Sequence, residues 1–76
     1  MRDLAKIISS YASVEGYNIF GTRFTKNGRY FYMEIEQMHI NIYFSKNKVP
    51  LYKIENIKDC VNFCHIISVL GEVEVN

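Results

Sequence analysis

The spacing of apolar residues predicts a helix at the start of the chain. The apolar positions follow the i, i+3, i+4, i+7 spacing of an amphipathic helix and are Leu4, Ile7, Ile8 and Tyr11. We place this helix over residues 3–15, with Asp3 as its N-cap and Gly16 just beyond its end.

Alternating apolar residues predict strands in the middle of the chain. Residues 17–25 and 29–36 flank Asn27-Gly28, a pair that tolerates the positive φ angles of a type I′ turn, and we expect a hairpin there. The apolar positions then change parity between Ile35 and Met38. Because one strand cannot change parity, a turn or bulge must separate this hairpin from a further strand that ends near Phe44.

The last third of the chain predicts a turn, an extended segment and a second helix. Residues 45–48 resemble a hairpin turn, and Pro50 restricts residues 49–54 to an edge strand or an irregular stretch. The helix begins after the N-cap Asn56 and runs to about Leu70, before Gly71.

These elements predict an α+β fold of the order α-β-β-β-(β)-α. Short connections favour an antiparallel meander sheet of three to four strands, with the N- and C-terminal helices packed on one face. A length of 76 residues indicates one small domain, 1–76, with a thin core. The other face of the sheet would be left uncovered.

Charge and cysteine content narrow the function classes. The net charge of +1 argues against a strongly basic nucleic-acid-binding protein. Cys60 and Cys64 lie four residues apart in one predicted helix, a poor geometry for a disulfide, so a reducing compartment is favoured. The first residues carry no signal-peptide pattern, and no apolar run is long enough to span a membrane. We expect a cytoplasmic protein with no membrane association.

The sequence contains one group of residues with the chemistry of a metal site. Cys60, Cys64 and His65 form a C-x-x-x-C-H pattern, and His39 is the only other imidazole. A zinc site needs about four ligands, so this set is too small, and we interpret both cysteines as core residues. We predict no metal and no cofactor.

Paired carboxylates are the strongest catalytic candidate, and they are a weak one. Glu34 and Glu36 alternate on one strand face, which satisfies the spacing of acid/base pairs by geometry alone. A domain this small offers no deep cleft that would shift their pKa values. We therefore predict that the protein is not an enzyme.

The uncovered face of the sheet is the predicted protein-binding surface. If the alternate positions Phe31, Met33 and Ile35 point to the helices, a polar and aromatic set points outward. This set comprises Tyr30, Tyr32, Glu34, Glu36 and Tyr43. Tyrosine is enriched where proteins bind one another, although it is also simply a good strand former.

Two further surfaces are candidates. Basic residues near the first and third turns form a possible nucleic-acid-binding cluster of Lys26, Arg29, Lys46 and Lys48, although Lys-rich turns also serve solubility. On the second helix, a sheet-facing set is predicted to comprise Ile57, Cys60, Val61 and Cys64. The remaining apolar ridge of Phe63, Ile66 and Leu70 either packs against the first helix or forms a homodimer interface.

The predicted order of elements resembles that of double-stranded-RNA-binding domains. That family's Lys-rich helix start is replaced here by Glu55-Asn56-Ile57-Lys58-Asp59, which removes the phosphate contacts, so RNA binding is not implied. Our leading hypothesis is a non-catalytic protein-binding module whose partner is a larger host protein or a second copy of the chain. Richness in Ile, Asn and Lys favours an AT-rich genome, and an inhibitor or accessory factor of a phage or mobile element fits it.

Overall fold

A computed structural model describes residues 1–44 and 49–72, with the backbone alone for residues 70–72. The protein is an α+β fold in which one helix precedes the strands of an antiparallel sheet along the chain and a second helix follows them. The helices are α1 (Arg2–Val14) and α2 (Ile57–Glu72). The strands are β1 (Asn18–Phe20), β2 (Arg23–Lys26), β3 (Arg29–Ile35), β4 (Ile40–Phe44) and β5 (Tyr52–Ile54).

Helix α1 ends as the sequence predicts but begins differently. Gly16 has a φ of +92°, and its N–H donates to the carbonyl of Ser13 at 3.1 Å. The N–H of Tyr17 reaches the carbonyl of Ala12 at 2.9 Å, which completes a Schellman motif. At the other end, Asp3 lies inside the first turn instead of capping it, since Met1 is the N-cap residue and forms no side-chain cap.

The sheet has five strands, which corrects the predicted three to four. The segment 17–25 is two strands joined by Gly21-Thr22, and Gly21 has a φ of +64°. Glycine at the first position of a two-residue connection is the pattern of a II′ hairpin turn. The strands neighbour one another in chain order, β1-β2-β3-β4-β5, and all pairs are antiparallel. This order differs from the three-stranded one of double-stranded-RNA-binding domains.

The predicted hairpin and the predicted break after it are both present. Asn27 and Gly28 have φ angles of 53° and 77°, and β2 pairs with β3 across them. Strand β3 stops at Ile35, and the N–H of Glu36 donates to the carbonyl of His39 at 2.8 Å before β4 begins. Met38 lies in this connection and is 74% exposed, so it does not continue the apolar face.

The segment after β4 supplies the second edge strand. Residues Tyr52–Ile54 form β5 and pair with β4, as the edge-strand interpretation of this Pro50-containing stretch predicts. The predicted turn at 45–48, which includes Lys46 and Lys48, lies outside the described residues.

A single core joins both helices to one face of the sheet. Phe31 lies at its centre, and its ring contacts those of Phe24 at 4.7 Å, Phe63 at 5.2 Å and Tyr17 at 5.7 Å between centroids. The other core residues are Ala5, Ile8, Ala12, Met33, Ile40, Ile42, Ile54, Cys60 and Ile67. Because buried side chains of α1 and α2 share this cluster with alternate strand positions, neither of the two described helices lies over the opposite sheet face.

Helix α2 has the predicted cap and part of the predicted buried face, since Cys60 and Cys64 are buried as expected. The Asn56 Oδ1 atom accepts a 2.9 Å bond from the N–H of Asp59, and the helix continues through Gly71 to Glu72. Ile57 and Val61, predicted to face the sheet, are 56% and 48% exposed.

The predicted dimer interface of Phe63, Ile66 and Leu70 is not available as a whole, since Phe63 does not reach the surface. Phe63 is completely buried, because its ring fills the space above Phe31, Phe44 and Tyr52. Ile66 is partly exposed, and the side chain of Leu70 lies outside the described part of the chain. A homodimer built on Phe63 is therefore incompatible with this fold. Neither described helix is long and apolar enough to cross a membrane.

Candidate functional site

The open sheet face carries a row of large side chains that crosses four strands. The register places Phe20 opposite Arg23, Arg23 opposite Tyr32, and Tyr32 opposite Tyr43. Opposed residues project from the same face, and these alternate with the core residues Phe24, Phe31 and Ile42. We call the outward set the tyrosine face; it comprises Asn18, Phe20, Arg23, Thr25, Tyr30, Tyr32, Glu34, Asn41, Tyr43 and Lys53.

The rings of the tyrosine face are held by their neighbours. Tyr32 and Tyr43 stack across β3 and β4 with centroids 4.9 Å apart and planes 9° from parallel. The guanidinium carbon of Arg23 lies 4.1 Å from the centroid of the Tyr30 ring. Such stacking and cation–π contacts restrict side chains that would otherwise be free to rotate on an open surface.

Glu34 joins these rings to a polar network. Its Oε1 atom accepts hydrogen bonds from Asn41 Nδ2 at 3.1 Å and from the Tyr43 hydroxyl at 3.2 Å. These two bonds, the first being the larger influence, lower the pKa of the Glu34 carboxyl from its ordinary value. Loss of solvation and the nearby Glu34 carboxylate raise the pKa of Tyr43. The carboxylate is therefore ionised at neutral pH and acts as an acceptor that fixes the face.

Glu36, predicted to share this face, lies one residue beyond β3. It lines a hollow at the end of the sheet together with Met1, Arg2, Ile35 and Gln37. The structure therefore brings together Tyr30, Tyr32, Glu34 and Tyr43 of the predicted set, with Glu36 at its margin. A carboxylate pair poised for acid/base chemistry is not supported, since Glu34 is exposed and already accepts two bonds.

The basic residues do not share the tyrosine face. Lys26 and Arg29 pair with each other in register and have the parity of Phe24 and Phe31, so they belong to the helix side of the sheet. The Lys26 amine donates to the main-chain carbonyl of Glu15 and lies 5.6 Å from the centroid of the Tyr17 ring. Lys26 thus caps the C-terminal end of α1 by binding a main-chain carbonyl there.

The cysteines are buried and do not form a ligand set. Burial and then the neighbouring Cys60 raise the pKa of Cys64 to about 11, and burial raises the pKa of Cys60. The Cys60 thiol lies 3.8 Å from the carbonyl oxygen of Leu4. His65 is exposed on α2, and within the described residues no three metal-ligating side chains gather at one place.

Phe20, Arg23 and Lys53 are members of the tyrosine face that sequence reasoning missed. Phe20 and Arg23 belong to the β1–β2 hairpin, and Lys53 belongs to the edge strand β5. Gly21-Thr22 was the available signal for the β1–β2 hairpin, since a glycine followed by one residue between apolar runs fits a tight turn. Treating 17–25 as one strand concealed Phe20, which is 68% exposed, and its neighbour Arg23.

Comparison with known proteins adds no assignment to this geometry. No protein-family model, curated protein or solved structure matches the chain.

Proposed function

We propose that this protein is a non-catalytic protein-binding module that covers part of a larger protein with its tyrosine face. One observation carries the proposal, namely the row of Phe20, Arg23, Tyr32 and Tyr43 across a sheet face that neither described helix covers. Aromatic residues and arginine dominate the binding energy of protein interfaces. A small domain also gains stability when a partner binds its folded form.

The contacts within the face favour binding over mere solvent exposure. Side chains that already stack or accept hydrogen bonds lose less conformational entropy when a partner arrives. Tyr32, Tyr43 and Glu34 form such a connected group. Exposed Phe20 extends the group with an apolar anchor at the edge of the sheet.

Nucleic-acid binding is the less favoured candidate. A stacking platform for bases needs free ring faces, whereas Tyr32 and Tyr43 stack on each other and Arg23 covers Tyr30. The Glu34 carboxylate would also repel phosphates. Lys26 and Arg29 lie on the other side of the sheet.

The test is affinity capture from a lysate of the organism that carries the gene, followed by a measured affinity for the purified partner. We expect Arg23→Ala and Tyr32→Ala each to weaken binding about tenfold or more. Ile57→Ala and Val61→Ala are matched controls, because both residues are exposed on the helix side. Unchanged affinity in the first pair, or loss only in the second, would contradict the proposal.

A further inference from the structure

A groove runs along α1 on the opposite side of the sheet from the tyrosine face. Its volume is about 450 Å³, and its remaining walls are the Gly21-Thr22 turn and the end of β3. The apolar floor consists of Ala5 and Met33, which are 6% and 4% exposed, and of Ile35, which is 40% exposed. Pockets of this size hold small organic ligands.

Two cations lie along the wall that α1 contributes. Arg2 and Lys6 are four residues apart, so they project from the same side of the helix. Neither forms an ion pair with any residue that the structure describes. The carboxylate of Glu36 shares the adjoining hollow with Arg2 but does not line the groove.

The dimensions of the groove set the length of its occupant. Its α1 lining extends from Arg2 to Ser10, which at the helical rise is about 12 Å. An extended hydrocarbon chain of about ten carbons has this length. The unbranched thioether side chain of Met33 can adapt its rotamer to a flexible chain better than a branched side chain could.

We propose that this groove binds a medium-chain acyl carboxylate, with the chain on the apolar floor and the carboxylate beside Lys6 and Arg2. The charge pattern selects the anion, because the described residues of the lining include two cations and no carboxylate. The site is separate from the proposed protein-binding surface, so a result that contradicts one proposal does not bear on the other.

The experiment compares three probes that share a ten-carbon chain and differ in their head group: decanoate, decanol and decyltrimethylammonium. Each is titrated below its aggregation concentration into the isotopically labelled protein, and amide shifts are followed by NMR. We expect decanoate to give saturable shifts at Lys6, Ser9, Thr22 and Met33. It should bind about two- to fivefold more tightly than decanol, and the cation should bind least.

Variants separate the head-group contact from the chain contact. Lys6→Ala should reduce decanoate affinity towards that of decanol and leave decanol unaffected, while Lys58→Ala on α2 is the matched control. Glu36→Gln should strengthen decanoate binding. Ile35→Ser should weaken decanoate and decanol alike, whereas Ile57→Ser, at another exposed apolar site, should change neither.

Two results would overturn the proposal. One is equal affinity for the three probes, which would mean unselective apolar binding. The other is a set of shifts that maps away from α1 and the Gly21-Thr22 turn, or no shifts at all. Both readouts use the wild-type protein, so a variant that fails to fold leaves the test intact.

Discussion

The hydroxyl of Tyr17 donates a 2.6 Å hydrogen bond to the main-chain carbonyl of Ile67, fifty residues further along the chain. Tyr17 follows the Gly16 terminus of α1, and Ile67 lies within α2. Both residues are buried, at 8% and 0% exposure. The bond therefore fastens the end of one helix to the middle of the other inside the core.

Removing this hydroxyl should destabilise the fold while leaving its shape unchanged. Tyr17→Phe deprives a buried carbonyl of its side-chain partner, and we expect the free energy of unfolding to fall by about 1–2 kcal/mol. Urea denaturation followed by circular dichroism measures the change. Tyr30→Phe is the control, since its ring lies on the open face. Equal stability of Tyr17→Phe and wild type would show that the bond contributes nothing.

The burial of Phe63 predicts a much larger effect. Phe63→Ala should cost about 3–5 kcal/mol, which is comparable to the whole stability expected for a domain of this size, so the variant should be largely unfolded. Ile66→Ala, at a partly exposed site on the same helix, should cost less than about 1 kcal/mol. A Phe63→Ala variant that stays folded and only changes sedimentation mass would restore the discarded dimer interface.

The sequence pattern was sufficient to predict some elements of the fold but not which residues of α2 are buried. Period and turn chemistry located both helices, the Asn27-Gly28 hairpin and the break after Ile35, because these signals are local. The buried side of α2 was predicted correctly at Cys60 and Cys64 but wrongly at Phe63 and Ile57, which both lie on its wide apolar arc. Only tertiary packing decides between them, and the larger Phe63 ring fills the space over Phe31.

The candidate surface was predicted in part for a related reason. Alternation within β3 and β4 correctly grouped Tyr30, Tyr32 and Tyr43 on one side. The cross-strand partners Arg23 and Phe20 depend on pairing register, which a sequence pattern does not supply when a turn is overlooked. Lys26 was interpreted as a surface charge, whereas its contact with Glu15 requires knowing where α1 ends.

The Glu34 network predicts a pH dependence on the tyrosine face. Because hydrogen bonds lower the pKa of Glu34 below its ordinary 4.5, its stabilising effect is present above that pH. The effect is lost as the pH falls through the lowered pKa. Carboxyl-carbon NMR titration should show that Tyr43→Phe moves the Glu34 pKa back towards 4.5, while Tyr30→Phe does not. Identical titration in all three proteins would mean that the Tyr43 bond is absent in solution.

The two thiols should be unreactive in the native protein. Cys64, with a pKa raised to about 11, and buried Cys60 present neither thiolate nor access to a reagent at neutral pH. A chromogenic disulfide reagent should therefore label them only when guanidinium unfolds the chain, at a rate that follows unfolding. Rapid labelling under native conditions would contradict the burial of α2 against the sheet. The single variants Cys60→Ala and Cys64→Ala assign any labelling to one thiol.

The pairing of the two terminal helices has a consequence for synthesis on the ribosome. Contacts such as Leu4 with Cys60 and Tyr17 with Ile67 join segments 56 and 50 residues apart, whereas each strand pairs with the next one along the chain. The hairpins can close as they emerge, because short loops cost little entropy. Helix α1 leaves the exit tunnel before the five strands do. All of the strands must be synthesised before α2 can cover the apolar side of α1. Until then the nascent chain leaves Ala5, Ile8 and Ala12 without the cover that α2 provides, and the core is complete only when both helices are outside the tunnel.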